Sequence, residues 1–236
     1  VDANGLPKIS TTNKTLGKFT PDWTGGISNT FSYRSLSLSF LIDASVGGSI
    51  FSNTNKTGKY TGVLANTLSG RDAEHGGLWY YTAAMGNNVR LPESPSYSVS
   101  SDGLYYAQVN GQSTRVYQDG IMVEGVTESG SKNEEVVSAE KYYHRIYSIA
   151  EANVYDASYV KLREVALSYR LPRLWTQKLH LQEASVTLTG RNLWTIYKSV
   201  PNIDPESALT TGNAQGVEAY SLPTTRSFGV NLSVKF

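Results

Sequence analysis

The sequence contains no cysteine. That one absence removes disulfide frameworks, thiolate metal sites and cysteine nucleophiles together. An excess of one charge is missing too: the net charge is +1 with basic and acidic residues interspersed, so the overall balance gives no electrostatic case for a nucleic-acid partner or for an anionic membrane surface. No apolar run approaches the ~20 residues that a membrane-spanning helix needs. This excludes helical spans but not strand spans, because a membrane-spanning strand is only half apolar. The three histidines, His75, His144 and His180, lack metal-ligand spacing. There is no HExxH motif, no GxSxG elbow and no glycine-rich phosphate loop. Glu74-His75 is an adjacent pair in a glycine-rich loop and reads as solvated surface. Nothing in the chain therefore points to an enzyme, a metal or a cofactor.

What is present suits strands. Tyrosine supplies 16 residues and glycine 21, aromatic residues make up 11% and hydrophobic residues only 39%. This is the profile of many short strands joined by polar loops, in a chain long enough for a sizeable core. Five segments alternate with period two, the spacing that sends side chains to opposite faces of a strand. They are expected at about 25–34, 36–50, 154–171, 182–197 and 224–236. In the first, Ile27, Phe31 and Tyr33 share a face. In the second, Leu36, Leu38, Phe40, Ile42, Ala44 and Val46 stand against Ser37, Ser39, Asp43 and Ser45. The third sets Val165, Leu167, Tyr169 and Leu171 against Glu164, Ala166, Ser168 and Arg170, but Val160 and Leu162 fall out of phase. Either a bulge sits near Arg163, or the upper half stands above a membrane, where outward Lys161 and Arg163 cost little. The fourth sets Ala184, Val186, Leu188, Trp194 and Ile196 against Ser185, Thr187, Thr189 and Arg191. The fifth closes the chain with Phe228, Val230, Leu232, Val234 and Phe236.

The connections alternate short, long, short, long. A tight turn near Arg34-Ser35 and a short link over 172–180 contrast with an insertion of roughly a hundred residues, too long for a bare loop, and a polar stretch over 198–223. Turns on one side and large loops on the other are the asymmetry of an outer-membrane barrel. A final alternating strand that ends on an aromatic residue looks like the closing strand of one. The expected fold is all-β: part of an antiparallel transmembrane β-barrel, about five strands forming an open sheet in isolation, with a structured extracellular insertion over about 52–153. Within the insertion, helices are expected at 60–68 and 138–146, the second started by Ser138. Short strands are expected at 103–109, 114–117 and 121–126, with hairpin turns at Asn110-Gly111 and Asp119-Gly120.

Two groups of residues are candidates for function. Trp79, Tyr80, Tyr81, Tyr105 and Tyr106 in the insertion are placed to stack on sugar rings or peptide side chains, or else to pack the insertion internally. Asp43, Glu164, Arg191 and Arg226 fall on the inward, lumen-facing side of the expected strands, where they meet a plug, line a path or are simply solvated. Aromatic residues near strand ends, among them Tyr33, Tyr169, Trp194, Tyr197 and Phe236, suit a membrane–water boundary. The loop Asp204-Pro205-Glu206 offers two carboxylates, too few oxygen ligands to specify calcium.

Several blocks of sequence go further. They are Pro21-Asp22-Trp23-Thr24-Gly25-Gly26-Ile27-Ser28-Asn29-Thr30 with Leu38-Ser39-Phe40-Leu41-Ile42-Asp43; Asp156-Ala157-Ser158-Tyr159-Val160-Lys161-Leu162-Arg163 running into Leu167-Ser168-Tyr169-Arg170-Leu171-Pro172; Gly190-Arg191-Asn192-Leu193-Trp194-Thr195-Ile196-Tyr197; and Asp204-Pro205-Glu206. In order and spacing, and with the terminal Phe236, they resemble the carboxyl-terminal barrel region of SusC/RagA-type TonB-linked outer-membrane transporters. The resemblance implies a Gram-negative outer-membrane barrel that imports glycans or oligopeptides with a SusD-like surface lipoprotein. It implies outer-membrane lipid around the wall and energy from the TonB complex, delivered through an amino-terminal region absent here. The plug and TonB box have no counterpart in these residues, so the chain is expected to be a fragment of a barrel of about 22 strands.

A reading of a different class is a soluble carbohydrate-binding or adhesin-like β-sandwich. The two separate on one observation. A transporter wall leaves its alternate apolar residues exposed on one face, whereas a sandwich buries Leu38, Val186, Leu188, Val230 and Leu232 between two sheets.

Overall fold

The computed structural model describes residues 1–178, 180–207, 212 and 214–236; parts of the 172–180 and 198–223 connections lie outside the described residues. Strands β1 (Trp23–Tyr33), β2 (Leu36–Val46) and β3 (Ser49–Ser52) lead to helix α1 (Asn53–Thr61). Then come β4 (Leu78–Thr82), β5 (Asn88–Arg90), β6 (Tyr97–Val99), β7 (Tyr105–Val109), β8 (Gln112–Ile121), β9 (Val137–Ser138) and helix α2 (Ala139–Ser148). Strands β10 (Val154–Asp156) and β11 (Tyr159–Arg170), helix α3 (Arg173–Lys178), and strands β12 (Glu183–Lys198), β13 (Val217–Glu218) and β14 (Ser227–Lys235) complete the chain. Two compact units result, one of Val1–Thr15 with Thr54–Asn153, the other of Leu16–Asn53 with Val154–Phe236.

The second unit is built on an antiparallel sheet of five strands in the order β1-β2-β11-β12-β14. Each of the five alternating segments supplies one strand. Its register carries the sequence pattern from strand to strand. Phe31 lies opposite Leu38, Leu38 opposite Leu167, Leu167 opposite Leu188 and Leu188 opposite Val230. One row across the sheet is therefore apolar throughout. The next row along is polar: Ser32 faces Ser37, Ser37 faces Ser168, Ser168 faces Thr187 and Thr187 faces Asn231. A strand has a side-chain period of two, so any one-residue slip would turn a whole strand's apolar set to the wrong face.

Two expected strands are shorter than the alternation suggested. The 36–50 and 154–171 segments both break, at Gly47-Gly48 and at Ala157-Ser158, and continue into a small second sheet ordered β10-β3-β13. Gly47 and Gly48 have φ of 78° and 80°, a left-handed conformation that costs other residues roughly 1–2 kcal/mol. Two such residues in succession end a strand. The break is held across the pair: Gly47 N–H donates to Ser158 Oγ at 2.8 Å, and Ala157 N–H to the Gly48 carbonyl at 3.1 Å. Ile50, Val200 and Ile203 form a buried apolar cluster with Tyr155 and Ala157 against it. Ser52 Oγ donates to the buried carboxylate of Glu218 at 2.7 Å.

The first unit has its own sheet, ordered β5-β4-β8-β7-β6 with β9 beside β8. Asn110 and Gly111, both at positive φ (52° and 80°), make the two-residue turn between β7 and β8, as their sequence suggests. Asp119-Gly120 does not turn. It lies inside β8, where Gly120 is needed for close approach: a Cβ there would stand 2.5 Å from the Leu78 carbonyl oxygen. The strand expected at 121–126 accordingly reduces to Ile121 at the end of β8. Helix α2 begins where expected, with Ser138 Oγ accepting from Lys141 N–H at 3.3 Å. The helix expected at 60–68 instead ends near its start, since Gly62 (φ 71°) stops α1. Gly62 N–H bonds to the Lys59 carbonyl and Val63 N–H to the Gly58 carbonyl, the paired bonds of a glycine-ended helix.

Substituting Gly48→Ala places a Cβ 2.9 Å from the Phe19 carbonyl oxygen at positive φ. It is expected to lose more than about 1 kcal/mol of stability, measured by denaturant unfolding.

Candidate functional site

The main feature of the large sheet is that its two faces differ in chemistry and that the apolar face is exposed. On the apolar face Leu188, Val230 and Leu232 are 50%, 73% and 64% exposed, and Ile27, Phe31, Tyr33, Leu38, Leu167 and Phe228 are exposed as well. Isolated exposed apolar residues are ordinary on a protein surface, but a continuous patch of them marks an interaction surface. The opposite face carries hydroxyls and charges. Ser32 and Ser37 share a hydrogen bond at 2.9 Å, and Ser168 and Thr187 share one at 2.6 Å. Arg191 Nε donates to Glu164 Oε2 at 2.9 Å on the same face. That pair is exposed, and such pairs contribute little stability.

Further along this polar face, beyond Glu164, the ladder becomes irregular. Register shifts fall between Leu162 and Glu164, and between Val160 and Lys161. The irregularity sits where the change of phase in the sequence placed it. It decides between the two sequence alternatives, because Arg163 does not point outward. Arg163 Nε donates to Asp43 Oδ1 at 2.7 Å, and its NH1 donates to Glu206 Oε2 at 2.7 Å. A bulged residue is left out of the pairing and its strand bends, which frees Arg163 to join Asp43 on the polar side.

Lys161 completes the network. It is only 2% exposed, and its ammonium donates to Asp204 Oδ1 and to Glu206 Oε2, both at 2.6 Å. Tyr159 OH donates to Glu206 Oε1 at 2.8 Å. Asp204 Oδ2 accepts from Thr224 Oγ1 at 2.6 Å and from Thr224 N–H at 3.1 Å. The loop Asp204-Pro205-Glu206 is thus tied to β11 by charge-assisted hydrogen bonds, which are about twice as strong as neutral ones. Its carboxylates are taken up by Lys161 and Arg163 and are not free for a cation. No group of three or more His, Asp or Glu side chains able to hold a metal ion occurs among the described residues.

The network also sets protonation. Burial alone would raise the Asp204 carboxyl, but hydrogen bonds from Lys161 and Thr224 outweigh it and hold Asp204 below the usual carboxylate range. Burial likewise opposes ionisation of Glu206, and Arg163, Lys161 and Tyr159 overcome it, so its carboxyl also lies below the ordinary value.

The remaining candidates are placed differently. Trp79 and Tyr80 are buried, in keeping with internal packing, the second of the two sequence alternatives. Trp79 belongs to the core cluster with Ala107 and Val116, its ring 5.1 Å from that of Tyr97 and edge-on to Tyr105 at 5.8 Å. Tyr80 stacks on Tyr117 at 5.0 Å and donates its hydroxyl to Asp119 at 3.2 Å. Tyr81 and Tyr105 are half-buried against the same cluster, and Tyr106 is half-buried on β7. Strand residues with large rings bury them wherever a second layer exists, and sequence alone could not show that layer here. Arg226 is exposed just before β14 and borders a shallow cavity with Asn192, Lys198, Asp204 and Thr224. The sequence did not reveal Lys161, Arg163 and Tyr159 as partners of the 204–206 loop, although a basic pair within an otherwise alternating strand was a signal that something opposes it.

A curated relative aligns with the whole chain. It is TonB-dependent receptor P3 of Formosa agariphila, 25% identical over 242 aligned positions that take in 100% of this chain. The chain resembles a TonB-dependent receptor of the SusC/RagA type. It spans 18% of the length of the P3 receptor. No family model matches. Among solved structures, the RagAB peptide importer is similar in its open-open state (17% identity, 92% of this chain and 17% of that one, TM-score 0.44) and in its closed-closed state (16%, 97% and 19%, 0.47). These names are those of a receptor and an importer, and neither names an enzyme.

Lys161→Met would leave Asp204 buried without its cation. A loss of about 3–5 kcal/mol is expected, the usual consequence of breaking a buried pair from one side, with faster proteolysis of the 199–226 loop as the readout. The lowered carboxyls fix the sign of the pH dependence. Their stabilisation is fully present above the ordinary carboxylate values near ~4 and is lost as pH falls through the lower folded values. Protection of the same loop should therefore be flat from neutral to mildly acidic pH and fail only in stronger acid.

Proposed function

We propose that this chain is the carboxyl-terminal section of the wall of a TonB-energised transporter in the outer membrane of a Gram-negative bacterium. In this reading the apolar face of β1-β2-β11-β12-β14 meets lipid and the polar face lines the lumen. Asp43, Glu164 and Arg191 then face the translocation path, with Arg226 at its border. Residues of the inserted unit stand on the outer side, where a SusD-like surface lipoprotein and a glycan or oligopeptide substrate would be met. The plug and the element that engages TonB belong to sequence outside this chain.

One observation carries the reading: an apolar row runs in register through all five strands and stays exposed. A β-sandwich would have buried it, whereas Leu38, Leu188, Val230 and Leu232 are exposed and Val186 is half-buried. A further fact supports it. In hydrocarbon every backbone group must be paired within protein, so a spanning sheet has to close. Here β1 and β14 are edges with no partner strand among the described residues, as expected of a section of a larger closed wall. No helix among the described residues is long and apolar enough to cross a membrane.

The test uses arginine on alternate faces of one strand in the full-length transporter. Leu232→Arg is expected to cost about 2–4 kcal/mol if it lies near the bilayer midplane, seen as loss of the folded, heat-modifiable form in outer membranes. Asn231→Arg, one residue away on the polar face, should assemble normally. Equal assembly of both variants would remove lipid from this face and the transporter reading with it.

A further inference from the structure

The link between β11 and β12 holds more than the short turn the sequence suggests. It contains α3, a helix started by Pro172, whose carbonyl accepts from Trp175 N–H at 2.9 Å, and followed by His180 at positive φ (57°). Thr176 faces inward and is buried, while Leu174 and Trp175 are 74% and 59% exposed. Arg173 and Lys178, at the two ends of the same helix, are exposed as well. A six-residue helix that shows water a leucine and a tryptophan between two cations has the composition of an interfacial segment: apolar and indole surface with flanking bases.

Its position agrees with its composition. Register places α3 at the end of the sheet that also holds the Arg34-Ser35 turn, Tyr33, Leu36, Tyr169, Val186 and Leu232. The apolar face therefore runs directly toward this end, which is fringed by Tyr33, Tyr169 and Phe236. The basic residues Arg34, Arg170, Arg173, Lys178 and Lys235 collect there, and the acidic side chain among them, Glu183, is already paired with Arg170 at 2.9 Å. A net charge of +1 over the whole chain conceals this local excess.

We propose that α3 is a membrane-surface anchor. Leu174 and Trp175 insert into the headgroup layer at the turn end of the wall, and Arg173 and Lys178 engage phospholipid phosphates. The inference rests on the lipid-facing reading of the sheet and goes beyond it, since a barrel turn has no need to touch the bilayer. Tryptophan prefers this zone because its ring is apolar while its N–H can reach water and headgroups. Bases near an anionic surface add an attraction that fades within a Debye length.

The test is nitroxide accessibility in the full-length transporter, made free of other reactive cysteines and reconstituted in phosphatidylethanolamine–phosphatidylglycerol vesicles. Labels are placed through Trp175→Cys, Leu232→Cys on the apolar face and Met85→Cys, 94% exposed in the inserted unit. The expected result is that the labels at 175 and 232 are relaxed more by oxygen than by a water-soluble nickel chelate, and the label at 85 the reverse. A lipid signal at 232 with a water signal at 175 overturns the anchor and leaves the wall reading intact. Water signals at both overturn the wall reading as well. All three side chains are exposed, so the substitutions leave the packed interior untouched.

Discussion

The second unit depends on one constraint: backbone ladders that hold the side-chain period of two in phase across five strands. Hydrogen bonding alone would allow many registers. The sequence restricts them, because only one alignment puts Phe31, Leu38, Leu167, Leu188 and Val230 in a single row. That alignment simultaneously gathers Ser32, Ser37, Ser168, Thr187 and Asn231 on the reverse side. Each face thereby gains neighbours of its own kind, and cross-strand pairs of like polarity are the unit of sheet stabilisation. The result is a sheet with two chemically distinct surfaces rather than a core with a surface around it. Its buried apolar residues are accordingly few, and the cluster of Ile50, Val200 and Ile203 lies beside the small sheet and not on the large one.

The same ladders explain why the sheet is unfinished. A strand edge exposes unpaired N–H and C=O groups and invites pairing with further strands. Soluble proteins blunt such edges with prolines, bulges or inward charges, yet β14 carries an unbroken alternation from Phe228 to Val234 along its length. An edge of that quality is suited to pairing, and the exposed row on its apolar side is suited to a solvent that is not water. Both features are what the proposed reading, with further strands and lipid, requires.

How much of this was legible in the sequence follows from which forces act locally. The five strands and their faces could be read because period-two patterning is a property of each strand by itself. The turn at Asn110-Gly111 could be read because positive φ at two consecutive residues is a local demand. Asp119-Gly120 carries the same type of signal and failed, since its glycine answers to the Leu78 backbone across the sheet rather than to a turn. Trp79 and Tyr80 stayed undecided for a related reason. Whether a ring binds a ligand or fills a core depends on the layer opposite it, which lies elsewhere in the chain. The break at Gly47-Gly48 was visible as composition, but its effect depended on Ser158 meeting it 111 residues away.

The bulge at Arg163 shows how a local irregularity becomes a device. A regular strand would alternate Lys161 and Glu164 onto opposite faces, because they are three positions apart. The shift between Leu162 and Glu164 adds one residue on β11, so both return to the polar side, with Arg163 between them beside Asp43. Two cations are thereby brought to face a loop that carries two carboxylates. Lys161 is buried deeply enough that it would be costly alone, and the loop would have little to hold it without Lys161 and Arg163. Each justifies the other. The sheet at this end is consequently tied to the 204–206 loop through charge, while the opposite end, where α3 and the Arg34-Ser35 turn lie, presents exposed apolar rings and bases. In the proposed transporter reading the two ends of one sheet meet the two sides of a bilayer: one accommodates polar, loop-rich structure, and the other ends at phospholipid headgroups.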